Sequence, residues 1–234
     1  MIDGLDQDRI RDAVGRAEER TAGEIVPVVV PRSDDYEVAV WRGVGAATLV
    51  VLTGVLLTLQ FYDGWGLGWL FAPWGVALSV LVAGTVGGVL ARYVYPLQRM
   101  LVGSDRLDEI VHRRAMQAFV EEEVFDTRDR TGILLFVSLR EHRIEVLGDA
   151  GINRQVEPDD WANVVARIQR GIQNNNLTDG LVEAVEMCGG LLERKGVDIR
   201  PDDENELTDS VRTPSREADD EESRRMKQGP RGPR

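Results

Sequence analysis

The sequence predicts an α/β fold, a small sheet with helices over its faces, that is interrupted by a transmembrane helical hairpin. Three observations predict it. Two long runs, residues 43–62 and 64–91, contain no charged side chain. Short runs rich in β-branched residues, such as 25–30, are typical of buried strands. In the flanking segments, apolar residues recur at spacings of three and four, which indicates amphipathic helices.

The two uncharged runs are long enough to cross a lipid bilayer. A hydrocarbon core about 30 Å thick requires about 20 residues of α-helix, and Asp63 is the only charged residue between Arg42 and Arg92. A soluble domain of the remaining size could not bury two helices that are apolar on every face. We therefore predict spans at about 42–62 and 73–95, within a hairpin that covers residues 40–99.

The residues that flank the spans predict their orientation. Basic side chains lie at the outer ends of the hairpin (Arg42, Arg92 and Arg99), whereas the linker contains no Lys or Arg. The positive-inside rule therefore predicts a multi-pass inner (cytoplasmic) membrane protein, with both termini and the soluble domain in the cytoplasm. Trp and Tyr favour the headgroup region, and the linker is rich in aromatic residues: Phe61, Tyr62, Trp65, Trp69, Phe71 and Trp74. A re-entrant segment at 61–73 remains an alternative.

The segments on either side of the hairpin are predicted to form one discontinuous domain, residues 1–39 plus 100–200. The first segment supplies only one helix and one strand, which cannot fold alone. The second segment supplies the missing helices and strands. The predicted elements are a helix at 6–21, a strand at 24–30, a helix from Ser104 to about 125, strands at 133–139 and 144–147, a helix that begins at Pro158, and a helix at about 179–195.

The remaining residues, 201–234, are predicted to form a disordered charged tail because they contain few apolar side chains. The formal net charge of the whole chain is −12, and no basic stripe is present. Nucleic acid is therefore not an expected partner. The expected partners are the membrane lipid bilayer and other membrane proteins.

Two phrases in the soluble segments resemble the TPM domain family. They are TAGEIVPVVV and RTGILLFVSLREHRIEVLGDAGI, the second of which is followed by a Trp-containing helix. The resemblance covers residues 6–39 and 103–197, and it implies an α/β/α sandwich on a small mixed sheet. The family includes a thylakoid lumen phosphatase-like protein, a photosystem II repair protein, a modulator of acetylcholine receptors and many bacterial membrane proteins. This chain differs from the common members because its hairpin lies inside the domain.

The resemblance implies two functions of different class. One is an accessory or interaction module in the assembly or maintenance of membrane proteins. The other is a membrane-bound acid phosphatase or another metal-dependent hydrolase. The sequence contains no P-loop, Cys-x5-Arg or DxDx(T/V) motif, so the catalytic residues are unknown and enzymatic activity is left open. Cys188, the single cysteine, lies on an apolar helix face and is predicted to be a core residue.

The best candidate site in the sequence is the glycine-bearing loop Gly148–Asn153. A carboxylate in such a loop, here Asp149, can bind Ca²⁺ or Mg²⁺ together with backbone carbonyls. Calcium binding is also described for members of the family that the chain resembles. Glu24, at the start of the first strand, is the candidate second ligand. The alternatives are that Asp149 only hydrogen-bonds the turn and that Glu24 is a solvated or helix-capping carboxylate.

Other charged residues give weaker indications. Asp159 and Asp160 follow Pro158, where the helix dipole alone favours acidic side chains. His112 and His142 are not spaced as a metal-binding pair. Four arginines near the second and third strands could gather an anion or could be solvated surface residues: Arg128, Arg130, Arg140 and Arg143.

Overall fold

The computed structural model describes residues 4–61, 68, 72–196 and 210–213. It divides into two units, residues 1–33 with 111–234, and residues 34–110. The elements are α1 (Gln7–Glu18), β1 (Ile25–Val30), α2 (Glu37–Phe61), α3 (Pro73–Tyr93), α4 (Tyr95–Val102), α5 (Ser104–Glu121), β2 (Ile133–Ser138), β3 (Arg143–Gly148), α6 (Ala150–Asn153), α7 (Pro158–Gln173) and α8 (Leu177–Arg194).

The first unit is built on a three-stranded sheet in the order β1-β2-β3. β1 pairs with β2 in parallel, and Ile25 lies beside Ile133. β2 pairs with β3 antiparallel, and Ile133 lies beside Gly148. The prediction of a small mixed sheet is therefore confirmed for the part of the chain that the structure describes.

Helices cover both faces of this sheet. β1 and β2 are buried along their whole length, and their alternate side chains point to two separate cores. One core joins the strands to α1, α7 and α8; its strand residues are Ile25, Val29, Ile133, Leu135 and Val137. The other joins them to α5; its strand residues are Val26, Val28, Val30, Leu134 and Phe136. The unit is thus layered as helix, sheet and helix.

Pro27 lies on the outer edge of the sheet. Glu24 and Val30 direct their carbonyl groups toward β2 and accept hydrogen bonds from Ile133 and Leu139. By alternation, Pro27 directs its backbone away from β2, so its missing N–H removes no hydrogen bond between β1 and β2. Pro27 is therefore tolerated within β1 because β1 is an edge strand of this sheet.

Several element ends differ from the predicted ones. α5 ends at Glu121 instead of about 125, because Glu123 adopts a left-handed conformation with φ of 54°. The predicted loop at 148–153 contains a one-turn helix, α6. α3 ends at Tyr93, since Val94 is extended and precedes the separate helix α4.

The second unit contains two helices, α2 and α3, that are long and apolar enough to cross a membrane. With 25 and 21 residues, they extend about 37 and 31 Å at 1.5 Å per residue. Large apolar side chains project outward from both; Leu49 is 66% and Leu81 is 68% exposed. The aromatic linker at 62–67 and 69–71 lies outside the described residues. Trp74, in the first turn of α3, is 58% exposed.

Candidate functional site

Asp149 is buried at the end of β3, with 5% of its surface exposed. Its carboxylate caps α6 by accepting a hydrogen bond from the Ala150 amide at 2.6 Å. The same carboxylate pairs with Arg130, whose Nε lies 2.7 Å from Oδ2 of Asp149. Both carboxylate oxygens therefore have partners. One accepts the hydrogen bond of the turn, which was the alternative to metal binding in the sequence analysis. The other pairs with Arg130, a contact that the sequence did not predict.

The loop that carries Arg130 packs tightly against the turn after β3. The Gly151 amide donates to the Arg130 carbonyl at 2.9 Å, and the Asp149 amide donates to Gly132 at 2.8 Å. A Cβ on Gly151 would lie only 2.3 Å from the carbonyl oxygen of Asp129. Glycine is thus required at 151 by this backbone approach, which holds Arg130 beside the Asp149 carboxylate.

Glu24 lies at the same end of the sheet as Asp149 and is 7% exposed. Ile133 donates to the Glu24 carbonyl and Asp149 donates to the Gly132 carbonyl, each at 2.8 Å. The β2 backbone therefore lies between the two acidic residues. Strands are about 4.8 Å apart, which places the two backbones roughly 10 Å apart.

The described residues contain no group of three or more His, Cys, Asp or Glu side chains placed to hold a metal ion. A cation bound at Asp149 would have to compete with the guanidinium of Arg130. The donor set in this conformation therefore does not fit a divalent cation well. The assignment of Ca²⁺ or Mg²⁺ to Asp149 and Glu24 stays a prediction.

The four arginines that could have gathered an anion are divided between the two ends of β2. Arg128 and Arg130 precede the strand, whereas Arg140 and Arg143 follow it. A six-residue strand is about 20 Å long, so the four side chains do not form one site. Arg130 is committed to Asp149, and its guanidinium also lies over the Phe125 ring at 6.0 Å from the ring centroid.

Within the second unit, α2 and α3 approach each other through small residues. A Cβ on Gly43 would lie 2.6 Å from the Gly87 carbonyl oxygen and 2.6 Å from the Ala91 Cβ. A Cβ on Gly87 would lie 2.5 Å from the Ala47 Cβ. Such close backbone contact is how helices pack in lipid, where no hydrophobic force drives them together.

One arginine joins the start of α2 to the end of α4. Arg42 Nη1 donates to the Leu101 carbonyl at 2.6 Å and to the Val102 carbonyl at 3.5 Å. These are among the last carbonyls of α4, which have no partner within the helix and carry the negative end of its dipole. Arg42, one of the three arginines that predict the orientation of the hairpin, therefore also stabilises the contact between α2 and α4.

Comparison with known families gives a match to the TPM domain over residues 98–191. The matched region, residues 98–191, is therefore similar to a TPM domain. The match confirms the resemblance over residues 103–191, which include β2, β3 and the Asp149 turn. Comparison with curated proteins gives no match.

Comparison with solved structures gives a similar fold for most of the chain. The chain is similar to BA42, a protein from the psychrophilic bacterium Bizionia argentinensis whose structure was determined by NMR. The TM-score is 0.54 at 20% sequence identity, over 90% of this chain and 96% of BA42. At this identity the similarity concerns the fold alone.

The first unit also contains a buried polar cluster that sequence reasoning missed. At the far end of β2, the Ser138 hydroxyl donates to the Glu141 carboxylate and lies 2.7 Å from the Ser33 hydroxyl. The Ser33 amide donates to the other Glu141 oxygen at 3.4 Å. Ser138 and Glu141 are 0% and 5% exposed. The cluster ties the segment after β1 to the turn after β2; Ser-x-x-Glu at a strand end was its only sequence signal.

Cys188 is a fully buried core residue of the TPM domain, as predicted. Burial raises the pKa of the Cys188 thiol to about 12. A nucleophilic cysteine needs an accessible thiolate, so this thiol is not one. Of the other residues considered, Asp160 accepts a hydrogen bond from the Glu157 amide in the capping box that begins α7. His112 and His142 lie apart, on α5 and in the turn before β3.

Proposed function

We propose that this chain is a membrane-anchored TPM-domain protein that serves as an accessory or interaction module in the assembly or maintenance of other membrane proteins. One observation carries the proposal. Two helices of membrane-spanning length are packed through Gly43 and Gly87, and they expose apolar side chains on their outer faces. Such a surface is favourable in lipid and costly in water.

The charge distribution supports a defined orientation for this anchor. Arg42, Arg92 and Arg99 lie at the ends of the hairpin that join the TPM domain segments. Both termini and the TPM domain then lie in the cytoplasm, and the protein is a multi-pass protein of the inner membrane.

The side chains that could act in catalysis already have structural roles. Asp149 caps a helix and pairs with Arg130, and the Cys188 thiol is buried. These roles favour an interaction module over a phosphatase or another hydrolase. A divalent cation could bind at Asp149 and stabilise the domain only if the Arg130 guanidinium moved away from the carboxylate.

Cysteine labelling tests the membrane anchor and its orientation. Gly68, in the linker, is exposed with no atom within 4 Å of an added Cβ, and Asp159 is exposed on α7 of the TPM domain. We expect Gly68→Cys to react with a membrane-impermeant maleimide in intact spheroplasts. Asp159→Cys should react only after the cells are lysed, and the buried Cys188 of the wild type provides the unlabelled background.

Two results would contradict this arrangement. Labelling of Asp159→Cys in intact spheroplasts would place the TPM domain outside the cytoplasm. Recovery of the wild-type chain in the soluble fraction, after carbonate extraction of membranes, would exclude a membrane-spanning hairpin.

An activity assay separates the accessory module from a hydrolase. Purified wild type, Asp149→Ala and the exposed control Asp159→Ala are assayed on a generic phosphomonoester, with and without Ca²⁺ or Mg²⁺. We expect no turnover above background in any of the three. Robust hydrolysis by wild type and Asp159→Ala that is lost in a folded Asp149→Ala would overturn the accessory function in favour of a phosphatase.

A further inference from the structure

The outer edge of β1 is covered by a short segment of the same chain, residues 210–213. The Arg212 amide donates to the Pro27 carbonyl at 3.0 Å, and the Val29 amide donates to the Arg212 carbonyl at 2.9 Å. These bonds form a parallel bridge between Val28 and Arg212. The sequence predicts a disordered tail over 201–234, and these four residues depart from that prediction.

Two side chains of this segment make contacts on opposite faces of the sheet. Val211 is 7% exposed and joins the core formed with α1, α7 and α8. Arg212 extends toward the end of α5, where its Nε lies 2.7 Å from Oε2 of Glu122. The edge therefore accommodates an apolar residue followed by an arginine.

Pro27 sets the register of this pairing. It offers a carbonyl acceptor but no N–H donor, and the added segment pairs with β1 through the Pro27 carbonyl and the Val29 amide. Within the described residues, the segment forms a single bridge with β1. Such short pairing can be exchanged for another strand with the same side chains, as in β-strand addition.

We propose that the outer edge of β1, together with Glu122, is a binding site for an extended peptide segment that carries an apolar residue followed by arginine. Residues 210–213 occupy this site in cis, and a partner protein with the same pattern replaces them. The inference does not rest on the membrane anchor, because peptide binding can be measured whether or not the hairpin spans a bilayer.

The test measures binding of a labelled peptide to the full chain in detergent micelles. The probe is a fluorescent peptide with the sequence of residues 207–215. Arg212→Pro removes the amide that bonds the Pro27 carbonyl, and Arg212→Glu places like charges beside Glu122 with the backbone intact. We expect both variants to bind the peptide at least about tenfold more tightly than wild type, because their own segment no longer competes. The matched control, Arg216→Pro, should bind as wild type does.

A charge exchange tests the role of Glu122. Adding Glu122→Arg to Arg212→Pro should abolish binding of the probe. A peptide with glutamate at the position of Arg212 should restore it. Equal binding by wild type and both Arg212 variants, or no effect of Glu122→Arg, would overturn the proposal. Concentration-dependent self-association that excludes the peptide would also overturn it, since a second copy would then be the occupant.

Discussion

At the scale of single residues, Asp149 makes one local and one distant interaction. The local one, to the Ala150 amide, follows from the glycine-bearing turn and could be predicted from the sequence. The distant one, to Arg130, could not, because it requires the preceding loop to be folded. Arg130 itself adopts a left-handed conformation with φ of 59°, which no local pattern indicates.

Replacing Asp149 should lower the stability of the TPM domain. Asp149→Ala removes the cap of α6 and the partner of Arg130. Because Arg130 is 53% exposed, water screens the ion pair, and the cap contributes most of an expected loss of about 1–2 kcal/mol. Asp149→Asn keeps a good capping residue and should lose less than half as much. Thermal unfolding followed by circular dichroism measures both; equal losses would show that the ion pair dominates.

The same variants test the predicted cation. If Ca²⁺ binds at Asp149, millimolar CaCl₂ should raise the Tm of wild type but not of Asp149→Asn, because only the native state binds the ion. An Asp159→Asn control should respond as wild type does. No shift in the wild-type Tm would count against a calcium site at Asp149 and Glu24.

At the scale of elements, the sequence predicted the two helices of the hairpin but not the faces through which they pack. The uncharged runs were sufficient to predict α2 and α3, because length and composition determine whether a helix can span a bilayer. The contacting faces were not predicted, since both helices are apolar all round. The approach of Gly43 to Gly87 is visible only once the helices are packed.

Substitution of one glycine should separate these helices. A leucine at Gly43 must displace α3, because its Cβ alone would lie 2.6 Å from the Gly87 carbonyl oxygen. We expect Gly43→Leu to weaken the packing by about 1–3 kcal/mol. Gly45→Leu is the matched control, since Gly45 lies on the same helix with no atom within 4 Å of an added Cβ.

Disulfide formation across the hairpin measures this effect. A Cβ on Gly84 would lie 3.2 Å from Oγ1 of Thr48, so Thr48→Cys with Gly84→Cys should form a disulfide under mild oxidation in micelles. Cross-linking should fall when Gly43→Leu is added and persist with Gly45→Leu. Equal cross-linking in both backgrounds would show that Gly43 does not determine the packing.

At the scale of the whole molecule, the sheet joins segments that the hairpin separates in sequence. β1 was predicted to be a buried strand, and its alternate residues contact the two cores on either side of the sheet. Its neighbour could not be chosen from periodicity, because any buried strand presents the same pattern. The parallel register of Ile25 with Ile133 is a property of the folded chain.

The sequence by itself determined the strands, the long helices and the apolar runs, since these depend on length, spacing and composition over short windows. It did not indicate the short helices α4 and α6. It also placed Asp149 in a turn and Cys188 in the core. Only the tertiary structure decided which residues meet: Arg130 with Asp149, Gly43 with Gly87, and Arg212 with Glu122. These contacts join residues far apart in the chain or on different elements. Their partners are selected by the packing of whole elements, which local sequence patterns do not encode.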